Sequence, residues 1–222
     1  MARVERDAAR MYERVLVVSE EETSDLDRAM AVPIGVSTAP LDGAPRRFDF
    51  GFWGRLPYFA NADAVTWILD EIWPAIRSLH PSATLIIGGA DASRALRSAA
   101  RRGGVTLCSP VDDIATFARN IRVALMPLRY GSGQSNKILE AAEAGCAIVG
   151  TPQALRGLAP LALHSRIEST ADGLAQAAVD LLADDDRRTS LAAHLRDTIE
   201  THYARSTTLD RLTAIAGLSR EP

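Results

Sequence analysis

The chain has 222 residues, of which 47% are hydrophobic and 24% are charged, a balance that is ordinary for a soluble globular protein. This length accommodates one large domain, or one domain with part of another, and needs neither disulfides nor a metal to stabilise the fold. The net charge of -3 argues against a nucleic-acid-binding protein, because such proteins bind by neutralising phosphates.

The cysteines and the N-terminal residues bear on the cellular compartment. Cys108 and Cys146 lie in apolar, strand-like runs without metal-ligand spacing, and we interpret both as buried, reduced side chains. Residues 1–14 are charged throughout and do not resemble a secretion signal. No apolar run approaches the ~20 residues of a membrane-spanning helix. These observations predict a cytoplasmic protein.

Apolar and amphipathic runs alternate along the chain, a pattern typical of βαβ units around a parallel sheet. Before residue 37 we predict a helix, a buried strand, a second helix with Ser19 as its N-cap, and another strand. These four elements are placed at 2–14, 15–19, 20–30 and 32–36. Residues 37–47 contain two prolines and a glycine without periodicity, which predicts a linker.

From residue 48 onwards the pattern predicts six strands with helices between them. The predicted strands are 48–53, 84–87, 105–108, 123–126, 147–149 and a weak one within 163–167. The predicted helices are 61–79, which Pro74 should kink, and then 93–102, 113–120, 135–144, 171–183, 185–201 and 207–218. The expected fold is α/β, a doubly wound, Rossmann-like, mostly parallel six-stranded sheet.

The segment with the clearest chemistry follows the fourth predicted strand and opens a helix. It reads Tyr130-Gly-Ser-Gly-Gln-Ser-Asn-Lys-Ile-Leu-Glu140. Gly131 and Gly133 permit positive φ and a close backbone approach, and the helix N-terminus offers unpaired N–H groups that suit a phosphate. Lys137 is the only lysine among 25 basic residues, and a cation in the first turn opposes the helix dipole unless an anion lies nearby.

Two other interpretations of this loop were weighed. A structural strand-to-helix turn with a solvated lysine is the simpler one. A P-loop is rejected, because that motif needs Gly before the Lys and Ser or Thr after it, where this chain has Asn136 and Ile138. Glu140 lies one turn from Asn136, so its carboxylate can accept hydrogen bonds from a ribose diol in the same cleft. Glu143 lies off that face, and we expect it to be solvated.

This loop and its flanking motifs together resemble the donor domain of retaining glycosyltransferases with the GT-B fold, family four, the group 1 transferases. The resemblance covers nearly the whole chain and is closest to exopolysaccharide or PEP-CTERM-associated sugar transferases. Its motifs are, in order, Val18-Ser-Glu, Val32-Pro-Ile-Gly-Val, Gly54-Arg-Leu, Ile86-Ile-Gly-Gly, Val105 to Asp112, Pro127-Leu-Arg, Gly133 to Ala141, Gly145-Cys-Ala-Ile-Val-Gly-Thr and Arg156-Gly-Leu.

The resemblance implies a role for each part of the cleft. Arg55 and Lys137 would neutralise a donor diphosphate as catalytic residues, and Glu140 would bind the ribose. The base would lie against Ser109, Pro110 and Val111. The diphosphate and sugar would lie on the loop formed by Gly131, Ser132, Gly133, Gln134, Ser135 and Asn136.

The chain departs from the family pattern in ways that affect sugar recognition and domain content. Ser132 replaces the first of two paired glutamates, and a lysine expected within 57–61 is absent. A complete enzyme of this type also has an acceptor domain of comparable size in front. We therefore expect a remnant of that domain at 1–36, a linker at 37–47, the nucleotide-sugar-binding domain at 48–200 and a C-terminal crossover helix at 201–222.

The implied activity is transfer of a sugar from a nucleoside diphosphate sugar to a glycan or lipid-linked acceptor in surface polysaccharide synthesis, with retention of configuration. No cofactor or metal is implied, since protein cations would neutralise the diphosphate. Two alternatives stay open. One is a nucleotide-sugar-binding fragment that is inactive alone because its acceptor domain is truncated. The other is a sugar-nucleotide epimerase on the same fold, which would need catalytic acids and a histidine at the cleft.

A basic stripe at the N-terminus bears on membrane contact. Arg3, Arg6, Arg10 and Arg14 have helical spacing and would suit anionic lipid at the inner membrane face. A solvated helix face is the simpler interpretation. The predicted partners are therefore a nucleotide sugar and its acceptor, with peripheral membrane contact left open and no nucleic acid.

Overall fold

A computed structural model describes residues 7, 9–24, 26, 28–41, 43–131 and 133–217. A two-stranded parallel sheet contains β1 (Val15–Val17) and β2 (Ala29–Ala31). The main sheet contains β3 (Phe48–Trp53), β4 (Leu85–Gly88), β5 (Thr106–Cys108), β6 (Ile121–Met126), β7 (Ala147–Gly150) and β8 (Arg166–Ile167). Its order is β5-β4-β3-β6-β7-β8, with every pair parallel, which confirms the predicted doubly wound fold.

The direction in which the main sheet grows reverses between β3 and β6. The chain proceeds outward from β3 to β4 and β5, then returns to β6 on the other side and continues to β7 and β8. At such a topological switch point the loops that leave the two strands diverge and leave a crevice at their carboxyl ends. Residues 54–58 follow β3 and residues 127–135 follow β6, so these two segments border the crevice.

The helices around the sheet begin and end close to the predicted positions. They are α1 (Glu20–Thr23), α2 (Phe59–Trp67), α3 (Trp73–Leu79), α4 (Arg94–Arg102), α5 (Ile114–Arg119), α6 (Asn136–Glu143), α7 (Ala159–Ala162), α8 (Ala171–Ala183), α9 (Asp185–His202) and α10 (Arg205–Ala216). The kink predicted at Pro74 is a π-helical segment, Ile68–Ile72, between α2 and α3. Pro74 therefore lies in the first turn of α3, where its missing N–H is tolerated.

The hydrophobic core is centred on the middle of the main sheet. All four residues of β4 and of β7 are buried, as are the last four residues of β3 and of β6. Parallel strands that are covered on both faces read as continuous apolar runs, which is why the sequence pattern placed them correctly. Among the described helices, none combines the length and the apolar character that crossing a membrane requires.

The N-terminal helices are shorter than predicted. Residues 10–14 form a turn and an irregular segment, so the helix predicted over 2–14 does not extend through them. The helix predicted to reach residue 30 ends at Thr23, and the Ser19 side chain makes no capping hydrogen bond. Arg3 and Arg6 of the basic stripe lie outside the described residues.

The strand predicted at 32–36 is wrong, because the second N-terminal strand is β2, at 29–31. Pro33 has no N–H to donate to a strand ladder, and the following residues bind the C-terminal region instead. The Val36 N–H donates to the Tyr203 carbonyl at 2.8 Å, and the Arg205 N–H donates to the Val36 carbonyl at 2.9 Å. The start of α10 therefore contacts the segment before the linker. The domain boundaries themselves stay a prediction.

The two cysteines differ in burial. Cys146 is fully buried, and burial raises the pKa of its thiol to about 11. Cys108, at the end of β5, is only partly buried, so the prediction of two buried cysteines is correct for Cys146 alone. Both thiols are free.

Glu143 is buried, and the prediction that it is solvated is wrong. Its carboxylate lies 3.2 Å from the Arg119 guanidinium and accepts a hydrogen bond from the Ala39 N–H at 3.2 Å. Arg196 on α9 donates to the Glu143 carbonyl at 2.6 Å. The helix face that looks polar in α6 alone is thus covered by α9 and by the linker.

Removal of the Glu143 carboxylate should destabilise the fold, because it leaves the Arg119 guanidinium partly buried without its ion-pair partner. We expect Glu143→Ala to lower the free energy of unfolding by about 3 kcal/mol. The control is Glu200→Ala, which removes a surface carboxylate 3.5 Å from Arg196 and should cost less than about 0.5 kcal/mol. Urea denaturation measures both, and equal losses would contradict a structural role for Glu143.

Candidate functional site

Two glycine-containing loops cross at the carboxyl ends of β3 and β4. The Gly54 N–H donates to the Gly88 carbonyl at 3.1 Å, and the Leu56 N–H donates to the Ala90 carbonyl at 3.3 Å. Gly89 has a φ of +149°, and a Cβ at this position would overlap the Gly54 carbonyl oxygen. The loops therefore approach each other more closely than any side chain on residue 89 would allow.

The Lys137 side chain lies over Gly54 in the crevice at the switch point. A Cβ built on Gly54 would lie 2.6 Å from Lys137 Cε and 3.0 Å from Lys137 Nζ. The same Nζ lies 5.9 Å from the centre of the Phe52 ring. Lys137 thus reaches from the first turn of α6 to the end of β3, and the structure brings it together with the Gly54-Arg-Leu motif.

The electrostatic environment of Lys137 favours an incoming anion. Burial lowers the pKa of the Lys137 ammonium below its usual value of 10.5, and the nearby Glu140 carboxylate partly opposes this shift. Among the ion pairs of the described residues, none joins Lys137 to a carboxylate. A cation that is partly withdrawn from water and not neutralised by contact attracts an anion more strongly than a solvated one.

The start of α6 has the geometry expected of an anion-binding helix terminus. Ser135 is extended and contributes no capping hydrogen bond from its side chain, so its hydroxyl does not occupy the first N–H groups. Asn136 is exposed. Gly131 and Gly133 have φ values of +144° and +72°, which confirms the predicted need for glycine. Ser132 lies outside the described residues.

The Gln134 side chain is held by protein atoms on both sides. Its Nε2 donates to the Gly157 carbonyl at 2.8 Å, and its Oε1 accepts from the Ile34 N–H at 3.4 Å. The side-chain amide therefore ties the loop to the N-terminal segment, and its backbone is what remains for the predicted donor contact. Sequence reasoning missed this role because both partners lie far away along the chain.

The Glu140 carboxylate is bound by a buried indole. Trp53 Nε1 donates to Glu140 Oε2 at 2.7 Å, and Trp53 is only 1% exposed. Trp53 is the last residue of β3, so it points the carboxylate at the same strand end that Lys137 reaches. Sequence reasoning missed this contact, because a tryptophan at the end of an apolar strand carries no signal of a polar partner.

Arg55 lies at the rim of the crevice. Its side chain is 77% exposed, and its Nε lies 3.8 Å from the Asp91 carboxylate, a long and solvated pairing. Its backbone is better fixed, because Asn61 Nδ2 donates to the Arg55 carbonyl at 2.7 Å and Asn61 is buried. The catalytic role of Arg55 stays a prediction.

The predicted base-binding residues lie at the same edge of the sheet, after the outermost strand β5. The Ser109 hydroxyl oxygen accepts from the Ala92 N–H at 3.3 Å, which joins this loop to the one that follows β4. Pro110 is exposed, and Val111 packs partly against the core. Their contact with a base stays a prediction.

Metal-ligand clusters were sought within the described ranges. No group of three or more His, Cys, Asp or Glu side chains there is arranged to hold an ion. The expectation that no metal is needed concerns the reaction and stays a prediction.

A Rossmann-like sheet with a cation and a helix N-terminus at its switch point is the arrangement found in phosphate-binding α/β domains. A model of the family described as glycosyl transferases group 1 matches residues 47–184, which is more than half of the chain. The chain belongs to this family. No curated protein matches the sequence significantly.

Solved structures share the fold over nearly the whole chain. S. aureus TarM, in complex with fondaparinux, alpha-GlcNAc-glycerol and UDP, aligns with a TM-score of 0.79 and 12% identity over 93% of this chain and 44% of its own. HepE from Anabaena in complex with UDP gives 0.78 and 14% over 97% and 67%, respectively. Sucrose-phosphate synthase from Thermosynechococcus elongatus gives 0.80 and 15% over 97% and 60%.

These alignments establish the fold as that of the C-terminal, Rossmann-like half of GT-B glycosyltransferases. The chain corresponds to 44% of TarM and 67% of HepE, so it spans about half to two thirds of these structures.

Substitution of Gly89 should disrupt the crossing that supports Lys137. Because the new Cβ in Gly89→Ala would overlap backbone, we expect a loss of unfolding free energy of about 3 kcal/mol. The control is Gly131→Ala, since Gly131 has a similar φ of +144° but nothing within 4 Å, and backbone strain alone should cost about 1 kcal/mol. Urea denaturation of both variants separates overlap from strain, and a smaller loss for Gly89→Ala would contradict the close crossing.

Proposed function

We propose that this chain is the donor-binding half of a retaining glycosyltransferase that transfers a sugar from a nucleoside diphosphate sugar to a glycan or lipid-linked acceptor. The observation that carries the proposal is the Lys137 ammonium, which is partly desolvated and lies over Gly54 beside the start of α6. The membership of residues 47–184 in the group 1 family supports it.

The chemistry asked of this site is stabilisation of a leaving group. When the bond between the donor sugar and its phosphate oxygen breaks, negative charge grows on the diphosphate. Cations and N–H dipoles that are fixed in place before the reaction stabilise this charge without reorganisation. Lys137 and the α6 N-terminus would provide the fixed part, and Arg55 would add a second cation by leaving its long pairing with Asp91.

The ligands of structural relatives support a uridine nucleotide as the first donor to test. HepE from Anabaena has been solved with UDP-glucose, and the pneumococcal O-GlcNAc transferase GtfA with UDP and GlcNAc. Sugars of GDP and dTDP are the alternatives. The resemblance to exopolysaccharide and PEP-CTERM-associated transferases supports a role in surface polysaccharide synthesis, where a lipid-linked acceptor would bring a cytoplasmic enzyme to the inner membrane face.

Loss of the Lys137 ammonium should weaken nucleotide binding more than any surface charge change. We expect Lys137→Ala to reduce affinity for the preferred nucleoside diphosphate by roughly 10- to 150-fold, the value of a charged hydrogen bond of about 1.5–3 kcal/mol. Isothermal titration calorimetry with UDP, GDP and dTDP measures this. Arg101→Ala on α4 is the control, since Arg101 is exposed on another helix. Unchanged affinity for Lys137→Ala would refute the assignment.

Nucleotide affinity should fall as the pH rises, because the depressed pKa of Lys137 makes it lose its proton at lower pH than a solvated lysine. The ammonium is present below its folded-state pKa and is lost above it, so the loss of affinity should begin below pH 10.5. Calorimetry of the wild type and of Lys137→Arg between pH 7 and 10 tests this, since arginine stays charged and any ionisation of the base cancels. Superimposable profiles would contradict the prediction.

We also propose that the diphosphate is neutralised without a metal, because Lys137 and Arg55 supply two positive charges. Affinity that is the same with and without EDTA would support this. A marked loss in EDTA that magnesium restores would contradict it.

A second candidate function is a nucleotide-sugar-binding module without turnover. The observation that favours it is that the chain corresponds to only 44% of TarM. Titration of the nucleotide sugar, followed by an assay for release of the diphosphate with added glycan acceptors, distinguishes the two. Binding without release would favour the module.

A further inference from the structure

We propose that Trp53 is a positioning residue that fixes Glu140 in the ribose subsite, so that its indole N–H helps the chain select ribonucleotide over deoxyribonucleotide donors. This inference rests on the proposed function, because it takes Glu140 as the group that binds the ribose. The argument proceeds from the packing of the indole to the orientation of the carboxylate.

The Trp53 ring is held by the core. It is 1% exposed and packs edge-on against Phe117, with ring centres 6.1 Å apart and planes at 69°. Phe117 in turn occupies the space left by the missing side chain of Gly88, since a Cβ there would overlap its ring. A buried ring with two neighbours of this kind has one orientation, so the direction of its N–H is fixed by packing.

The fixed N–H orients one oxygen of Glu140 and leaves the other for a ligand. Trp53 Nε1 donates to Oε2 at 2.7 Å, while the Glu140 side chain remains partly exposed. A carboxylate on a flexible, partly exposed side chain loses rotamer freedom when it binds a hydroxyl group. One that is already held by a buried donor loses less, so its contacts with the ribose hydroxyls contribute more to binding.

The N–H matters beyond the bulk of the ring. A phenylalanine at position 53 would retain most of the apolar packing but would remove the donor, and Glu140 would be free to rotate toward solvent or toward Lys137, three residues earlier on α6. The contacts that Glu140 makes with the ribose would then be weakened, whereas contacts with the diphosphate and the base would persist. Discrimination between ribose and dideoxyribose is therefore the property that reports on Trp53.

The test compares affinities for UDP and 2′,3′-dideoxy-UDP in the full chain by calorimetry, or for the GDP pair if guanosine is preferred. We expect the wild type to favour the ribonucleotide by about 10-fold or more, the effect of hydrogen bonds to a charged group. Trp53→Phe should reduce this ratio to about 3-fold or less, with affinity for the dideoxy form changed by less than about 2-fold.

The matched control is Trp73→Phe. Trp73 is 2% exposed, and its Nε1 donates to the Gly103 carbonyl at 2.7 Å, so the same exchange removes a buried indole N–H elsewhere. The ribose preference should stay at the wild-type value in this variant. In a Glu140→Ala background, Trp53→Phe should have no further effect on the ratio.

The outcomes separate the two levels of the argument. If the wild type binds none of the nucleotides, the proposed function fails and the inference fails with it. If the wild type prefers ribose and Trp53→Phe keeps that preference, the inference alone is overturned. If Trp53→Phe does not fold, Phe117→Leu loosens the indole instead, and an unchanged ratio in that variant would overturn the inference.

Discussion

The candidate site depends on one ammonium group that the fold holds in an unfavourable place. Lys137 lies in the first turn of a helix, where the dipole opposes a cation, and burial lowers its pKa. Its platform is the crossing of Gly54 with Gly88 and Gly89, which tolerates no side chain. Local arrangements of this kind persist because the core around them is well packed, and they concentrate where a ligand repays the cost.

The main sheet could be predicted from the sequence because its signals are local. Strand β3 and helix α8 have the predicted bounds, since a fully buried parallel strand reads as an apolar run and an amphipathic helix as a periodic one. The N-terminal region failed for the opposite reason. The residues around Pro33 bind α10, some 170 residues later, and no window of sequence reports such a contact.

The site itself was predictable in its backbone and much less in its side-chain partners. The glycines and the helix start are punctuation that the sequence displays directly. Glu140 and Glu143 are three residues apart on one helix, yet Trp53 binds the first and Arg119 the second. Their different environments are set by β3 on one side and by α5, α9 and the linker on the other. Helical periodicity alone assigned both to the wrong degree of solvation or left their partners unknown.

The spacing of strands limits what can bind. Lys137 and Glu140 both meet the end of β3, whereas the predicted base loop 109–111 follows β5, which is two strands away in the sheet. At ~4.8 Å between strands, these contacts are separated by about 10 Å. A free phosphate that reaches the lysine would not reach the base loop, so engaging both requires an extended ligand with its anionic and aromatic ends apart. Because the sheet sets this separation, adjustment of side chains alone would not shorten it.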